Sequence, residues 1–236
     1  LQRSNDEIAS RAAELAVINT IQQGMAAAKG FQAIVDLVGD KLREVFRTGD
    51  MSIRWWDEGA NLVHQLYSYE HGVRLDMPPV PPSVPMAKLL RERTVGVVGT
   101  HAEQVALGIP GPAAGTDWAH SIVAVPIVGS ARALGAILLE DHEREHAFGE
   151  AEIRLLTTIA SSMGVALESA RLFDETQRLL KETEQRNAEL AVINSIQQGI
   201  AAKLDFQAIV DLVGDKLREV FANGDIGIRL LDEAAG

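Results

Sequence analysis

Six histidines, a group of aromatic and charged residues, and no cysteine make up the chemically active side chains of this sequence. The missing cysteines remove disulfides, thiolate metal sites and thiol nucleophiles together. The histidines are His64, His71, His101, His120, His142 and His146. None stands in an HExxH arrangement, which would set two imidazoles and a general base on one helix face. His142 and His146 are four apart, a spacing that suits zinc only on a helix. The run Asp141-His142-Glu143-Arg144-Glu145-His146 reads instead as a charged, solvated turn, so no metal site is expected. No serine, threonine or lysine is set beside a base as an activated nucleophile would be. The sequence therefore assigns no catalytic residue.

The remaining candidates suit binding rather than reaction. Trp55, Tyr67, Tyr69, His71 and Arg74 form one group, and Arg93, Thr116, Asp117, Trp118 and His120 a second. Aromatic faces supply stacking area, and an arginine fork grips a carboxylate or phosphate. The same aromatics are equally at home packed in a core.

The elements that must position these residues are marked by periodicity. Leu15, Ile18, Ile21 and Met25 give residues 5–27 a helical stripe, and Phe31, Ile34, Val35, Val38, Leu42, Val45 and Phe46 mark a second helix. The period then changes to two over Met51–Trp56 and Leu62–Tyr69, flanking Asp57-Glu58-Gly59-Ala60-Asn61, a hairpin pattern. Five prolines in residues 76–85 exclude a regular strand or long helix there. Met86–Arg93 suits a short helix and Val95–Val98 a buried strand, followed by a Gly/Pro loop over 107–117. Ser121–Val128 and Arg132–Glu140 make a second hairpin. A long helix starts near Gly149, with Glu150 and Glu152 in its first turn and Ile153, Leu156, Ile159, Met163, Ala166, Ala170 and Phe173 along one face. Together these describe an α+β domain built on one antiparallel sheet, with helices on one face and loops over the other.

The chain also repeats itself. Arg11–Glu58 returns as Arg186–Glu233 with 36 of 48 positions identical at an offset of 175 residues. That spacing exceeds the roughly 20–50 residues of a solenoid repeat and suits a whole domain with its connector. The expected organisation is the end of a linker helix over 1–10, a domain over 11–173, a helical linker over 174–189, and the truncated start of a second domain over 190–236. A slice of a tandem array, lacking its output element, fits this pattern. In the second copy Asp205 replaces Gly30, and Leu230-Leu231 replace Trp55-Trp56.

A formal net charge of −11 with no basic stripe argues against nucleic acid or anionic membrane as partners. No apolar run reaches the roughly 18 residues of a membrane span, and no signal-peptide pattern opens the chain. A cytoplasmic location is expected.

The sequence resembles the GAF domain, a small-molecule sensor module related to PAS domains. The resemblance rests on Ser121-Ile122-Val123-Ala124-Val125-Pro126-Ile127, on Leu134-Gly135-Ala136-Ile137-Leu138-Leu139-Glu140, on Ala147-Phe148-Gly149-Glu150 through Leu156, and on Ser169-Ala170-Arg171-Leu172. It covers about 11–173. It implies a central antiparallel sheet of about five to six strands, helices on one face, and a pocket between the other face and the irregular segment. The ten candidate residues would line that pocket. The repetition further resembles multi-GAF proteins whose arrays precede a histidine kinase or an adenylate/guanylate cyclase. Covalent bilin attachment and methionine sulfoxide reductase chemistry both need cysteines that are absent. Cyclic-nucleotide-binding relatives carry Asn-Lys, Phe and Asp-Glu; here Phe148 and Glu152 are present, but Ile153 and Glu140-Asp141 depart from that pattern. A haem would need an axial ligand such as His64, His71 or His120, and one imidazole alone does not define such a site.

Residues 174–188 hold no glycine or proline and should continue the long helix as a rod. Val165, Leu172, Leu179, Ile193 and Ile200 recur on multiples of seven, the pattern of a homodimer seam, interrupted at Arg186 and with polar Ser169, Thr176 and Thr183 between. Two functions follow from the resemblance. One is a non-catalytic sensor that binds a small cytoplasmic ligand and signals through this helix. The other is a structural dimerising spacer with no ligand. Phe206, Ile209, Val213, Leu217, Phe221 and Ile228 of the partial copy are expected to lack their covering strands and to pack on another surface.

Overall fold

The computed structural model describes residues 2–46, 49–112, 115–202, 206–221 and 226–229. Asp205, Leu230 and Leu231, and the side chain of Ile200, lie outside the described residues. The chain divides into two units, Leu1–Asp174 and Glu175–Gly236.

The first unit opens with α1 (Gln2–Ala27) and α2 (Phe31–Val45), then β1 (Asp50–Asp57), β2 (Leu62–Glu70) and β3 (Val73–Arg74). Next come α3 (Val84–Glu92), β4 (Gly96–Val98), α4 (His101–Ala106), β5 (Ser121–Val128), β6 (Ala133–Asp141) and the start of α5 (Glu150–Ala202). The sequence-based reading lacks β3 and α4, both shorter than periodicity can mark. Local chemistry sets them nonetheless. Thr100 and Glu103 form a reciprocal capping box at the start of α4. His71-Gly72 joins β2 to β3 as a two-residue turn with both φ values positive, +49° and +78°. Ser83 caps α3 by accepting the Met86 N–H, and Arg93 ends that helix in the left-handed conformation at φ +55°.

Every pairing in the six-stranded sheet is antiparallel, in the order β3-β2-β1-β6-β5-β4. Alternation sends Met51 and Ile53 of β1, Val123, Val125 and Ile127 of β5, and Ile137 and Leu139 of β6 to one face. There they meet Ile21 and Met25 of α1, Ile34, Val35, Val38 and Leu42 of α2, and Leu155, Leu156, Ile159, Ala160, Met163 and Leu167 of α5. This is the main core. The intervening residues face the other way, where Trp56, Val63, Ala124, Ala136 and Leu138 form a smaller cluster with Leu89 and Leu90 of α3. A register shift opposite Ile53/Arg54 inserts Leu66 as a bulge, so Leu66 and Tyr67 both reach the main core.

Helix α5 lies close on the sheet because Gly164 meets it without a side chain. A Cβ there would run into the carbonyl of Val128 at the end of β5. One turn further along, Glu168 clasps the β5–β6 turn. It accepts the Ser130 N–H at 2.7 Å and the Ser130 hydroxyl at 3.0 Å, and these bonds hold its carboxyl below the usual carboxylate range.

The helix continues unbroken through 174–189, as the linker composition requires. In the second unit α6 (Phe206–Phe221) repeats the sequence of α2 with one residue more, yet buries none of its side chains among the described residues. Phe206, Phe221 and Ile228 are exposed and Ile209, Val213 and Leu217 half-exposed. Residues 226–229, counterpart of the start of β1, are not in a strand. A strand needs a neighbour for its N–H and C=O groups, and the β6 sequence has no second copy among these residues.

Two outcomes follow. Gly164→Ala is expected to cost about 1–3 kcal/mol in urea unfolding, the usual range for overpacking against backbone that cannot retreat. Glu168→Gln is expected to lower the melting temperature modestly at pH 7. Because the folded carboxyl is depressed, its contribution is complete above the unfolded value of about 4.3 and disappears as pH falls through the lower folded value. Wild-type and variant melting curves should converge at acid pH.

Candidate functional site

The sheet face turned away from α1, α2 and α5 is only partly covered by α3. Beside that contact lies a cavity of about 830 Å³. Its floor is made by Ser52 and Arg54 of β1, Gln65 and Ser68 of β2, Ile122 and Ala124 of β5, and Leu138 and Glu140 of β6. Its roof is the proline-rich stretch Leu75–Met86 and the loop around Ile109–Pro112 and Thr116–Ala119. Proline suits such a roof, since it fixes φ and brings no N–H that would need a partner over the hollow. The roof is pinned to β2 by a reciprocal bridge, with Val63 N–H to Val80 O at 2.7 Å and Val80 N–H to Val63 O at 3.1 Å. Gln104 of α4, fully buried, donates to the Ala119 carbonyl at 2.7 Å and holds the second loop. The volume lies within the roughly 300–1,000 Å³ of small-molecule sites.

The most polar part of this apolar hollow is an ion pair on its floor. Arg54 donates through Nε to Ser52 Oγ at 3.0 Å and faces Glu140 Oε1 across 3.8 Å, too far for a hydrogen bond. Burial lowers the Arg54 pKa, and Glu140 opposes that shift. Burial likewise raises the Glu140 pKa, against the attraction of Arg54 and His142. Charges removed from water with an incomplete mutual bond retain affinity for a polar group brought to them.

Next to Glu140 the floor becomes an acidic corner. Asp50 and Glu70 are buried, and each accepts a backbone N–H at 2.7 Å, from His71 and Asp117 respectively. His71 Nε2 bonds Asp117 Oδ2 at 3.1 Å, and its ring lies 4.9 Å from that of His142. The Asp117 bond, followed by Asp50 and Glu70, raises the His71 pKa. The sequence places His142 in a solvated turn. In the structure its side chain is only 7 % exposed, because β6 runs on through Asp141 and carries the ring inward. His146, the other half of the four-residue spacing, is exposed and on no helix.

Four of the ten sequence candidates line the cavity: Tyr69, Thr116, Asp117 and Trp118. The others do not. Trp55 and Tyr67 belong to the opposite, helix-facing side. Trp55 packs edge-on to Phe31 at 4.8 Å, and the buried Tyr67 donates its hydroxyl to Asp40 Oδ1 at 2.8 Å. Burial, with the Asp40 bond, drives the Tyr67 pKa upward. Arg74 is turned to α2, where it bonds Asp36 Oδ1 at 3.0 Å. Arg93 is the exposed cap of α3, His120 is exposed, and His71 sits beside the rim. Trp55 and Tyr67 mislead because they stand on the core side of β1 and β2. Arg54, Gln65, Ser52 and Ser68, which the sequence reading omits, alternate with them and face the cavity. Polar residues at every second position of an otherwise apolar hairpin were the available signal. Of the haem-ligand candidates His64, His71 and His120, none lines the cavity.

A family model described as "GAF domain" matches residues 28–168. The chain therefore belongs to the GAF domain family. Solved structures agree on the fold. The GAF domain of an Acinetobacter phosphoenolpyruvate-protein phosphotransferase is 11% identical with a TM-score of 0.56, covering 69% of this chain and 98% of that one. The GAF domain of the corresponding Coxiella burnetii protein is 16% identical with a TM-score of 0.57, over 69% and 96% of the two chains. The free methionine-R-sulfoxide reductase of Neisseria meningitidis, solved with its substrate, is 17% identical with a TM-score of 0.56, over 68% and 92%. A search of curated proteins gave no significant match. Among the described residues, no helix is long and apolar enough to cross a membrane.

Tyr67→Phe separates core from cavity. It should cost about 0.5–1.5 kcal/mol of unfolding free energy through the lost Asp40 bond, read in denaturant titration, with no effect on binding of any cavity ligand.

Proposed function

We propose that this GAF domain is a non-catalytic sensor that takes a small organic molecule into the cavity and reports its presence through α5. The observation that carries this reading is the hollow itself, with an incompletely bonded arginine on its floor. A rigid proline roof and an apolar lining suit a compact ligand body, and Arg54 suits a carboxylate or phosphate on it. A spacer domain would have no reason to keep buried charges facing an open volume.

Transmission is supported by the thickness of a single sheet. Leu138 and Glu140 of β6 face the cavity while Ile137 and Leu139, their neighbours, pack in the core shared with α5. A ligand that shifts β6 changes the surface on which Leu155, Ile159 and Met163 rest. Further along α5, Val165, Leu172, Leu179 and Ile193, spaced by multiples of seven, are all exposed, as a seam between two copies of the helix requires. A homodimer formed there, with an output domain in register with it, turns a change of packing into a signal.

Thermal-shift screening of the purified chain against small carboxylates, nucleotides and phosphorylated metabolites tests this directly. For any hit bearing an anion, Arg54→Met should weaken affinity about tenfold or more, the worth of a charge-assisted hydrogen bond. Trp55→Leu, which installs the second copy's residue on the opposite face, should leave affinity unchanged. No shift from any compound at saturation, with wild type folded, would count against sensing.

A further inference from the structure

We propose that the acidic cluster at the edge of the cavity is a binding site for a divalent transition-metal ion, held by Glu70, His71 and His142 with Asp50 and Glu140 beside them. Ligand atoms of Glu70, His71 and His142 all lie within 4.8 Å of one another. His142 Nε2 is 3.8 Å from Asp50 Oδ2 and 3.9 Å from Glu140 Oε2, while His71 Nδ1 is 3.8 Å from the same Asp50 oxygen. These separations are too long for hydrogen bonds and close to what two ligands of one ion show. With bonds of about 2.0–2.2 Å, ligands on a shared metal stand about 3–4 Å apart.

The independent sign is His142. Its side chain is more than nine-tenths buried, and neither ring nitrogen has a hydrogen-bond partner. A buried imidazole with two unsatisfied nitrogens is costly unless something occupies the position it addresses. What it addresses is carboxylate oxygen, Asp50 Oδ2 at 3.8 Å and Glu140 Oε2 at 3.9 Å. The sign of the surrounding charge points the same way. Asp50, Glu70 and Glu140 bring three carboxylates to this corner, a setting whose potential favours a cation. Two imidazoles with carboxylates select zinc, nickel, cobalt or iron(II) over calcium or magnesium, which prefer all-oxygen shells. Asp117, bonded to His71 Nε2 at 3.1 Å, holds that ring in place, as outer carboxylates do around metal-binding histidines. His71 is exposed, which gives an ion a route in from solvent. The proposal stands apart from the organic-ligand reading, since it needs no occupant in the apolar part of the cavity.

The test is titration of the chelator-stripped 236-residue chain with Zn²⁺ by calorimetry and with Co²⁺ by visible absorption. One equivalent should bind, with Co²⁺ giving ligand-field bands of a nitrogen–oxygen site. His142→Gln and His71→Ala should each weaken Zn²⁺ binding by about tenfold to a hundredfold or more, whereas His146→Gln and His101→Gln should not. His71 is exposed, so its variant reads the site even if a change at buried His142 disturbs folding. Failure to bind one equivalent, or equal affinity in wild type and His71→Ala, would overturn the assignment.

Discussion

Alternation along β1 and β6 is the constraint on which everything else rests. A strand has two faces, and here each takes a different job. Ile53, Ile137 and Leu139 go to the helices and supply the packed core, while Arg54, Leu138 and Glu140 go to the hollow. Slipping β1 by one residue would drive Arg54 into the core, and slipping β6 would do the same to Glu140, breaking the charged pair on the cavity floor. The bulge at Leu66 and the close approach of Gly164 are adjustments that let β2 and α5 fit a sheet whose register is already committed. The fold therefore secures the site by the same hydrogen bonds that secure the core.

The charged floor sits uneasily with stability taken alone. Arg54, Glu140, Asp50 and Glu70 give up solvation, and the one ion pair among them with Arg54 is stretched to 3.8 Å. Apolar residues of similar volume would pack the same space at lower cost. The large, well-closed core on the other face offsets this, and the α1, α2 and β1 part of its sequence is repeated with few changes at 186–229. Stability on one face and chemistry on the other is the division of labour that a binding module needs.

Much of the architecture was legible because its elements are long and strongly patterned. Both hairpins, α2 and the α5 rod follow from spacing alone. What the sequence did not disclose was which face of a hairpin turns inward. Trp55 and Tyr67 look like ligand-stacking residues, yet their bulk is what the helix-side core needs. Arg54 looks like an ordinary surface arginine until β6 is seen to bring Glu140 to the same face. His142 was hidden for a similar reason: its neighbours Glu143 and Arg144 are charged and exposed, but the strand carries its ring inward first. Pairings between β1 and β6 join residues 80 to 90 positions apart, and no local window contains them.

The turn at His71-Gly72 has one more implication. Two-residue turns with both φ positive favour asparagine or aspartate followed by glycine, because a short polar side chain tolerates the left-handed region best. Histidine holds the first position here at φ +49°, next to Glu70 and Asp50. Asparagine would suit the backbone better and would leave an imidazole out of the corner. Stability and ring chemistry therefore pull in opposite directions at a single codon, so sister domains that have lost the ring should be recognisable by an Asn-Gly at this corner and a stiffer hairpin.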